Sequence, residues 1–312
     1  MIIQLLFLFQ VAVAAPVHLV AVGDVGEAND SQRQVARAIG AYCQSNPCDY
    51  GLLLGDNLYD EGMTSVDDPK MDQAFRDIYS TLPFPFFVTL GNHDYGLLSN
   101  VWVRGSYQLE YAKRTPQFLL PNYWYYVEFE NFVLAVVDTT RMMWSRDLQA
   151  QKLMLQEAEA KAKGKYFIVM GHHPYLSNGK HGNAGKYEGV SFPKFVSGTD
   201  VKKFFDENIC SKAHLYLSGH DHNLQLLDGK QAGCNSLLVV SGSGAGTTRL
   251  YDRNEALYQE ATLGFVTVTI ERNRIDIQFR DSRNRALYQG RMASPNQIER
   301  IRRSRAARNS RI

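Results

Sequence analysis

Seven short apolar runs recur along the chain, at residues 18–22, 51–54, 86–90, 132–137, 166–170, 214–218 and 236–241. They are continuous rather than alternating, the pattern of strands buried on both faces. Segments of helical period lie between them. Residues 29–44 repeat apolar positions at Val35, Ala38, Ile39 and Tyr42, with Asp30 or Ser31 available as N-cap. Residues 70–82 carry Met71, Phe75, Ile78 and Tyr79, and residues 199–209 set Val201, Phe204, Phe205 and Ile209 on one stripe. Residues 147–163 are rich in Ala, Gln, Glu and Lys, and Gly164 can stop that helix. Strands alternating with helices predict an α/β architecture. The end differs: residues 264–270 and 274–280 alternate with period two about Arg272-Asn273, which predicts a hairpin. No internal linker or repeat interrupts the pattern, so one layered domain is expected.

Composition adds boundaries. The chain has 312 residues, 45% hydrophobic and 21% charged, which excludes disordered, collagen-like and low-complexity classes. A net charge of +2 gives no overall field for nucleic acid. The charge is uneven, because residues 291–312 hold seven arginines and one glutamate while the first 290 hold 27 basic and 31 acidic side chains. This basic tail lacks interleaved aromatics and reads as a surface tail, so no nucleic-acid function is expected. Residues 1–15 carry no charge and are apolar except for Gln4 and Gln10, too short a run for the roughly 20 residues of a membrane span. Ala12-Val13-Ala14 suits cleavage before Ala15. The expected division is a signal peptide at 1–14, a catalytic domain at 15–290 and the tail at 291–312. The alternative for the first segment is a strand extending a buried sheet. An exported, soluble protein follows, since no other stretch could span a membrane, and a monomer is expected.

Four cysteines allow three pairings. Cys43 and Cys48 would close a small loop through Pro47, and Cys210 and Cys234 each precede an apolar run and could meet. Buried free thiols are the alternative. The absence of CxxC argues against a zinc ribbon or a thioredoxin-like site.

The most informative feature is how the strands end. Five apolar runs close on glycine followed by a metal-ligand residue type: AVGD (Asp24), LLGD (Asp56), TLGNH (Asn92, His93), VMGHH (His172, His173) and LSGHDH (His220, His222). Ligands of open α/β sheets gather at the carboxyl ends of strands. Any one block alone is most simply a turn. Together they hold five of the eight histidines, and His181 lies beside them, which chance does not explain. His18 and His214 begin strands and read as structural; His173 reads as local structure.

Oxygen donors (Asp24, Asp56, Asn92) mixed with imidazoles (His172, His220, His222), without thiolate, suit Fe, Mn or Zn. Six donors over five strand ends exceed the needs of one open catalytic ion, so two metals sharing a carboxylate are expected. Such a pair clamps a phosphoryl group for in-line displacement. Tyr59, three residues after Asp56, is a possible seventh donor. A phenolate favours a strongly acidic ion such as Fe(III), since its free pKa of about 10 must be overcome.

The order GDVG, GDNLYD, GNHD, GHHP, GHDH resembles the calcineurin-like metallophosphoesterases, and the tyrosine of GDNLYD resembles the purple acid phosphatases, in the small tartrate-resistant form. The likeness covers about residues 17–277. It implies a four-layer α/β/β/α sandwich with mixed sheets. It also implies that Asp24, Tyr59 and His222 hold Fe(III), that Asn92, His172 and His220 hold a divalent Fe, Zn or Mn, and that Asp56 bridges them. His93 and His181 would bind phosphate and protonate the leaving alcohol, a step worth about 10²–10⁴-fold. The implied activity is hydrolysis of phosphate monoesters to inorganic phosphate at acidic pH by a metal-hydroxide mechanism. A phosphodiesterase or nucleotidase of the same superfamily is the alternative, and a secreted binding protein with a vestigial metal site is a third reading. Two departures stand out, the loop after Val137 and the His-His-Pro of the GHHP block, where His172, directly after glycine, is the better match for the ligand. The animal enzymes carry an exposed, protease-sensitive loop after the strand ending in Val137, which is short or missing here. The sequon Asn29-Asp30-Ser31 lies close to Asp24, where a glycan would obstruct substrate, and it is expected to be unused.

Overall fold

The computed structural model of the chain describes residues 15–97, 101–293 and 298–299. The expected signal segment, 1–14, and most of the basic tail lie outside the described residues. Two mixed sheets form the centre. The first begins with β1 (Val17–Val22), β2 (Tyr50–Leu54), β3 (Phe86–Thr89) and the short β4 (Phe118–Leu119), all parallel. The chain then builds the second sheet from β5 (Tyr125–Glu128), β6 (Phe132–Val136), β7 (Tyr166–Met170), β8 (Leu215–Ser218), β9 (Leu224–Asp228), β10 (Leu237–Ser241) and β11 (Ala256–Glu260). Its order is β11-β9-β10-β8-β7-β6-β5, with β6, β7, β8 and β10 parallel. The chain returns to the first sheet through β12 (Gly264–Ile270), β13 (Arg274–Asp281), β14 (Ala286–Ala293) and β15 (Ile298–Glu299), added antiparallel beyond β1.

The continuous apolar runs divide their side chains between two cores. On β6, Phe132, Leu134 and Val136 enter the large core, while Val133 and Ala135 enter a second one. Tyr166, Ile168 and Met170 of β7 face the first core and Phe167 and Val169 the second. The first core also takes α1 (Asp30–Cys43) and the helical stretch of α2 (Pro69–Met71), a π-turn (Asp72–Arg76) and α3 (Asp77–Tyr79). The later helices are α4 (Val103–Arg114), α5 (Thr139–Met143), α6 (Leu148–Lys161), α7 (Lys194–Ser197) and α8 (Thr199–Asn208). Leu155 and Ala158 of α6 and Val201, Phe204 and Phe205 of α8 close the second core. This is the expected α/β/β/α sandwich. A one-residue slip of β6 would exchange the side chains that the two cores receive, and neither core is shaped for the other's set.

Several expectations need correction. The N-cap of α1 is Asn29, whose side chain accepts from Gln32 N at 2.8 Å, rather than Asp30 or Ser31. The Asn29 Nδ2, where a glycan would attach, donates to Ala245 O at 3.0 Å. Helix α4 was not foreseen, because its buried face is Gly105, Gln108 and Tyr111 rather than an apolar stripe. The sheet runs past the boundary placed at residue 290, since β14 reaches Ala293 and Arg291 pairs with Asp276 at 2.6 Å. Both proposed disulfides form, Cys43–Cys48 after α1 and Cys210–Cys234 after α8. No helix among the described residues is long and apolar enough to cross a membrane.

Candidate metal centre

Strands β1, β2, β3, β7 and β8 bring their five blocks into one cleft, and their glycines show how. A Cβ on Gly91 would lie 2.1 Å from Asp56 Oδ1, one on Gly219 2.4 Å from Asp24 Oδ2, and one on Gly55 2.5 Å from His172 Nδ1. Each strand end is bare where a donor from a neighbouring strand passes. Asp24, Asp56 and His220 then turn with φ of +57°, +53° and +69°. That region costs a non-glycine residue about 1–2 kcal/mol and persists only where surrounding structure holds it.

The donors form two groups. Tyr59 OH lies 3.2 Å from Asp24 Oδ1, 3.1 Å from Asp56 Oδ2 and 3.2 Å from His222 Nε2. His222 Nε2 is 3.4 Å from Asp24 Oδ1. In the second group, His172 Nε2 lies 3.0 Å from Asn92 Oδ1, 3.1 Å from His220 Nδ1 and 3.3 Å from Asp56 Oδ2. Asp56 Oδ2 therefore touches both groups. Its Oδ1 is occupied by His93 N at 2.9 Å, just as Asp24 Oδ2 accepts from His220 N at 2.8 Å. His172 Nδ1 donates to Leu54 O at 2.9 Å, which aims Nε2 into the cluster. His173 instead meets Thr139 Oγ1 through Nδ1 at 2.8 Å and through its backbone N at 3.0 Å.

The electrostatics suit a cation. Burial favours the neutral form of Asp56, yet His172 and His93 beside it hold the carboxyl well below its usual range. Burial pushes the His172 imidazole down, but the Asp56 and Asp24 carboxylates dominate and raise it to about 9. Burial, then the charges of His181, His173 and His172, keep His220 far below the usual histidine range. Burial and the Asp56 and Asp24 carboxylates drive the Tyr59 phenol well above its ordinary value. Once its extra proton is displaced, His172 Nε2 joins Asn92 Oδ1, Asp56 Oδ2 and the His220 nitrogen as an electron-pair donor, an arrangement that positive charge between them stabilises. Asp24, Asp56 and His172 each offer an atom within 4.8 Å of the others, as do His172, His173 and His220.

His93 and His181 flank the two groups. The His93 ring packs 4.4 Å from Tyr59, and the His181 ring 4.2 Å from His220. His93 Nδ1 donates to Asp60 O at 2.5 Å, and His181 Nδ1 pairs with Glu188. Both line a cavity of about 240 Å³ with Asp56, Asn92 and His220. A larger surface groove, about 700 Å³, lies elsewhere beside Arg33 and Arg37 and holds none of these residues.

Sequence reasoning missed the carboxylates that hold the loops. Asp94, raised to about 7 by burial and by Asp56, accepts from Gly91 N at 2.7 Å, Asn57 N at 2.9 Å and Gln108 Nε2 at 2.7 Å. Asp221 is buried and accepts from His181 N at 2.8 Å and Ser177 Oγ at 2.5 Å. Both lay inside the motif blocks, in GNHD and GHDH, as acids without an assigned role. Glu188, at φ +57°, gave no sequence signal.

Comparison with known proteins agrees with this geometry. The chain matches the calcineurin-like phosphoesterase family over residues 17–224, which include every residue of both groups. It is 30% identical to tartrate-resistant acid phosphatase type 5 of Oryctolagus cuniculus, over 73% of this chain and 72% of that protein. It is 27% identical to purple acid phosphatase 4 of Arabidopsis thaliana, over 83% of this chain and 78% of that protein. Among solved structures, GAP50, the anchor in the inner membrane complex of Plasmodium, shares the fold with a TM-score of 0.70 at 18% identity, covering 89% of each chain. A dimetal phosphatase from Danio rerio has a TM-score of 0.52 at 11% identity, over 89% of this chain and 98% of that one. The chain belongs to the calcineurin-like phosphoesterase family, in its purple acid phosphatase branch.

Proposed function

We propose that the chain is an acid phosphatase that hydrolyses phosphate monoesters at a dinuclear Fe(III)–M(II) centre. Asp24, Tyr59 and His222 would hold the ferric ion. Asn92, His172 and His220 would hold divalent Fe, Zn or Mn, with Asp56 shared. The observation that carries the reading is Asp56 Oδ2, which lies 3.1 Å from the phenol of one group and 3.3 Å from the imidazole of the other. The asymmetry matters. Burial beside two carboxylates makes the Tyr59 proton hard to remove, so only a strongly acidic cation suits that side. Such a pair, when bound, neutralises phosphate charge and activates water to attack phosphorus.

The chain's own residues supply position and protons. His93 spends Nδ1 on the Asp60 carbonyl and His181 spends Nδ1 on Glu188, so each can present Nε2 to the cavity. A proton on either Nε2 can pass to the leaving oxygen as the P–O bond breaks, which leaves inorganic phosphate among the donors. Asp221 fixes the His181 backbone and Asp94 fixes the turns after β2 and β3. The names of the rabbit and Arabidopsis relatives support this activity. The two disulfides fit an oxidising compartment, which supports export; residues 1–14 are the segment proposed to be removed, with the catalytic domain beginning at residue 15.

The test is a visible absorption spectrum of the aerobically purified protein alongside its metal content and acid phosphatase activity. A purple or pink band that disappears in Tyr59→Phe is expected. A colourless protein with full metal occupancy would overturn the ferric assignment, and preference for diesters would overturn the monoesterase reading.

A further inference from the structure

The cavity above the donors has two unlike walls. His93, His181 and His220 form the polar one, and Met143, Trp144, Phe195 and Val196 form the other. Trp144 and Phe195 stack with ring centroids 4.2 Å apart and planes 19° from parallel. They come from separate elements: Trp144 caps the end of α5 and Phe195 lies in α7. Trp102 braces Trp144 edge-on at 6.4 Å, and the Arg146 guanidinium lies 4.7 Å above the Trp102 ring. The pair is half-buried and its rings are nearly parallel, and phosphoryl chemistry makes no demand on it. Apolar rings left facing a water-filled cleft are unfavourable unless a ligand covers them.

We infer that Trp144 and Phe195 form a leaving-group subsite that selects phosphate monoesters of planar aromatic alcohols over those of sugars and small aliphatic alcohols. The inference rests on the phosphomonoesterase reading above. The size of the cavity sets the class. At about 240 Å³ it is below the roughly 300–1,000 Å³ of pockets for drug-sized ligands, so it suits a phosphate with one ring rather than a long acyl chain. The polar wall takes the phosphate and the stacked pair takes the ring, through offset or edge-to-face contact. The short connection from β6 into α6 contributes to this directly, because α5 and Trp144 occupy it.

The test compares kcat/KM of the metal-loaded protein for benzyl phosphate and ethyl phosphate, whose alcohols are of nearly equal basicity. It also compares inhibition by benzylphosphonate, ethylphosphonate and inorganic phosphate. The native chain should favour the benzyl member of each pair about tenfold, the size of a good aromatic contact. Trp144→Ala and Phe195→Ala should each bring both ratios to within about threefold of unity while inorganic phosphate inhibits as before, and Trp144→Phe should keep most of the preference. Equal treatment of benzyl and ethyl compounds by the native chain would overturn the subsite, as would full preference in both alanine variants. If neither ester is hydrolysed, the phosphatase reading fails, and the phosphonate pair still decides the subsite.

Discussion

Adding one methyl group at Gly91 should disable the centre without replacing any donor. The new Cβ would sit 2.1 Å from Asp56 Oδ1, 2.4 Å from Asp56 N and 2.8 Å from Asp56 Cγ. Non-bonded heavy atoms need about 3 Å or more, so the end of β2 and the end of β3 must part by nearly 1 Å. The Asp56 backbone nitrogen is among the clashing atoms, so a rotamer change alone cannot relieve the contact. Overpacking of this kind costs about 1–3 kcal/mol, a fall in Tm of roughly 2–5 °C for a domain of this size. The effect on the site is larger. Asp56 Oδ2 would leave its positions 3.1 Å from Tyr59 and 3.3 Å from His172 together, and a 1 Å misplacement can cost about 10²-fold in rate. Gly164→Ala is the control. It meets nothing within 4 Å and carries only the strain of φ +79°, about 1 kcal/mol, so it should lower Tm and leave metal content intact. The assay is metal per chain, acid phosphatase turnover and thermal melting of both variants. Gly91→Ala protein with two cations per chain and native turnover would refute the idea that this glycine exists to admit the Asp56 carboxylate.

Asp221→Asn should slow turnover of alkyl phosphates about 10–100-fold, more than that of aryl phosphates, because it loosens the His181 loop and good leaving groups need less proton transfer; an equal loss on both substrate types would contradict this. Asp138→Asn tests a buried acid outside the donor set. Burial, only partly offset by the Tyr95 hydroxyl, holds the Asp138 carboxyl at about 6 against an ordinary 3.8. The folded chain therefore binds more protons than the unfolded one between those values, and stability falls as pH rises from about 4 to 6, by about 3 kcal/mol. Asparagine keeps the cap on Arg141 N and should flatten that slope in urea unfolding at pH 4 and 7; an unchanged slope counts against the assignment. Removing Cys210–Cys234, which closes 24 residues, should cost about 3 kcal/mol, against about 2 for Cys43–Cys48, which closes five. Thermal melts of paired Cys→Ser variants decide the order.

The parallel strands and the five blocks were legible because the sequence repeats one device: an apolar run, a glycine and a donor. Each repeat is local, so no tertiary knowledge is needed to see it. Helix α4 was invisible for the opposite reason. Its inward face carries Gly105 against the Tyr95 ring and Gln108 against Asp94, and neither choice follows an apolar period. The edge strands β5 and β11 are half-exposed and lack the doubly buried signature. The supporting acids Asp94 and Asp221 could be seen but not assigned. A buried carboxylate that accepts several backbone N–H groups looks, in a sequence, the same as a turn residue or a ligand. Trp144 and Phe195 lie 51 positions apart, and only α5 and α7 bring their rings together.

Fold and centre are set by the same atoms. The glycines that end β2, β3 and β8 are required by neighbouring donors, so strand spacing and donor spacing cannot vary separately. Left to its side chains, the cluster meets its charge imperfectly: Tyr59 keeps its proton, and the one proton that His172 holds on Nε2 up to about pH 9 is shared between Asn92 Oδ1 at 3.0 Å and Asp56 Oδ2 at 3.3 Å. Protons are small, single charges and can satisfy one contact each. Two multivalent cations would satisfy the seven proposed donors together and offset the strained backbone at Asp24, Asp56 and His220. Ion binding therefore adds to the stability of the β1, β2 and β8 ends themselves, as any ligand of the native state alone must. The strain stored there is a reason to expect that metals and fold are lost together.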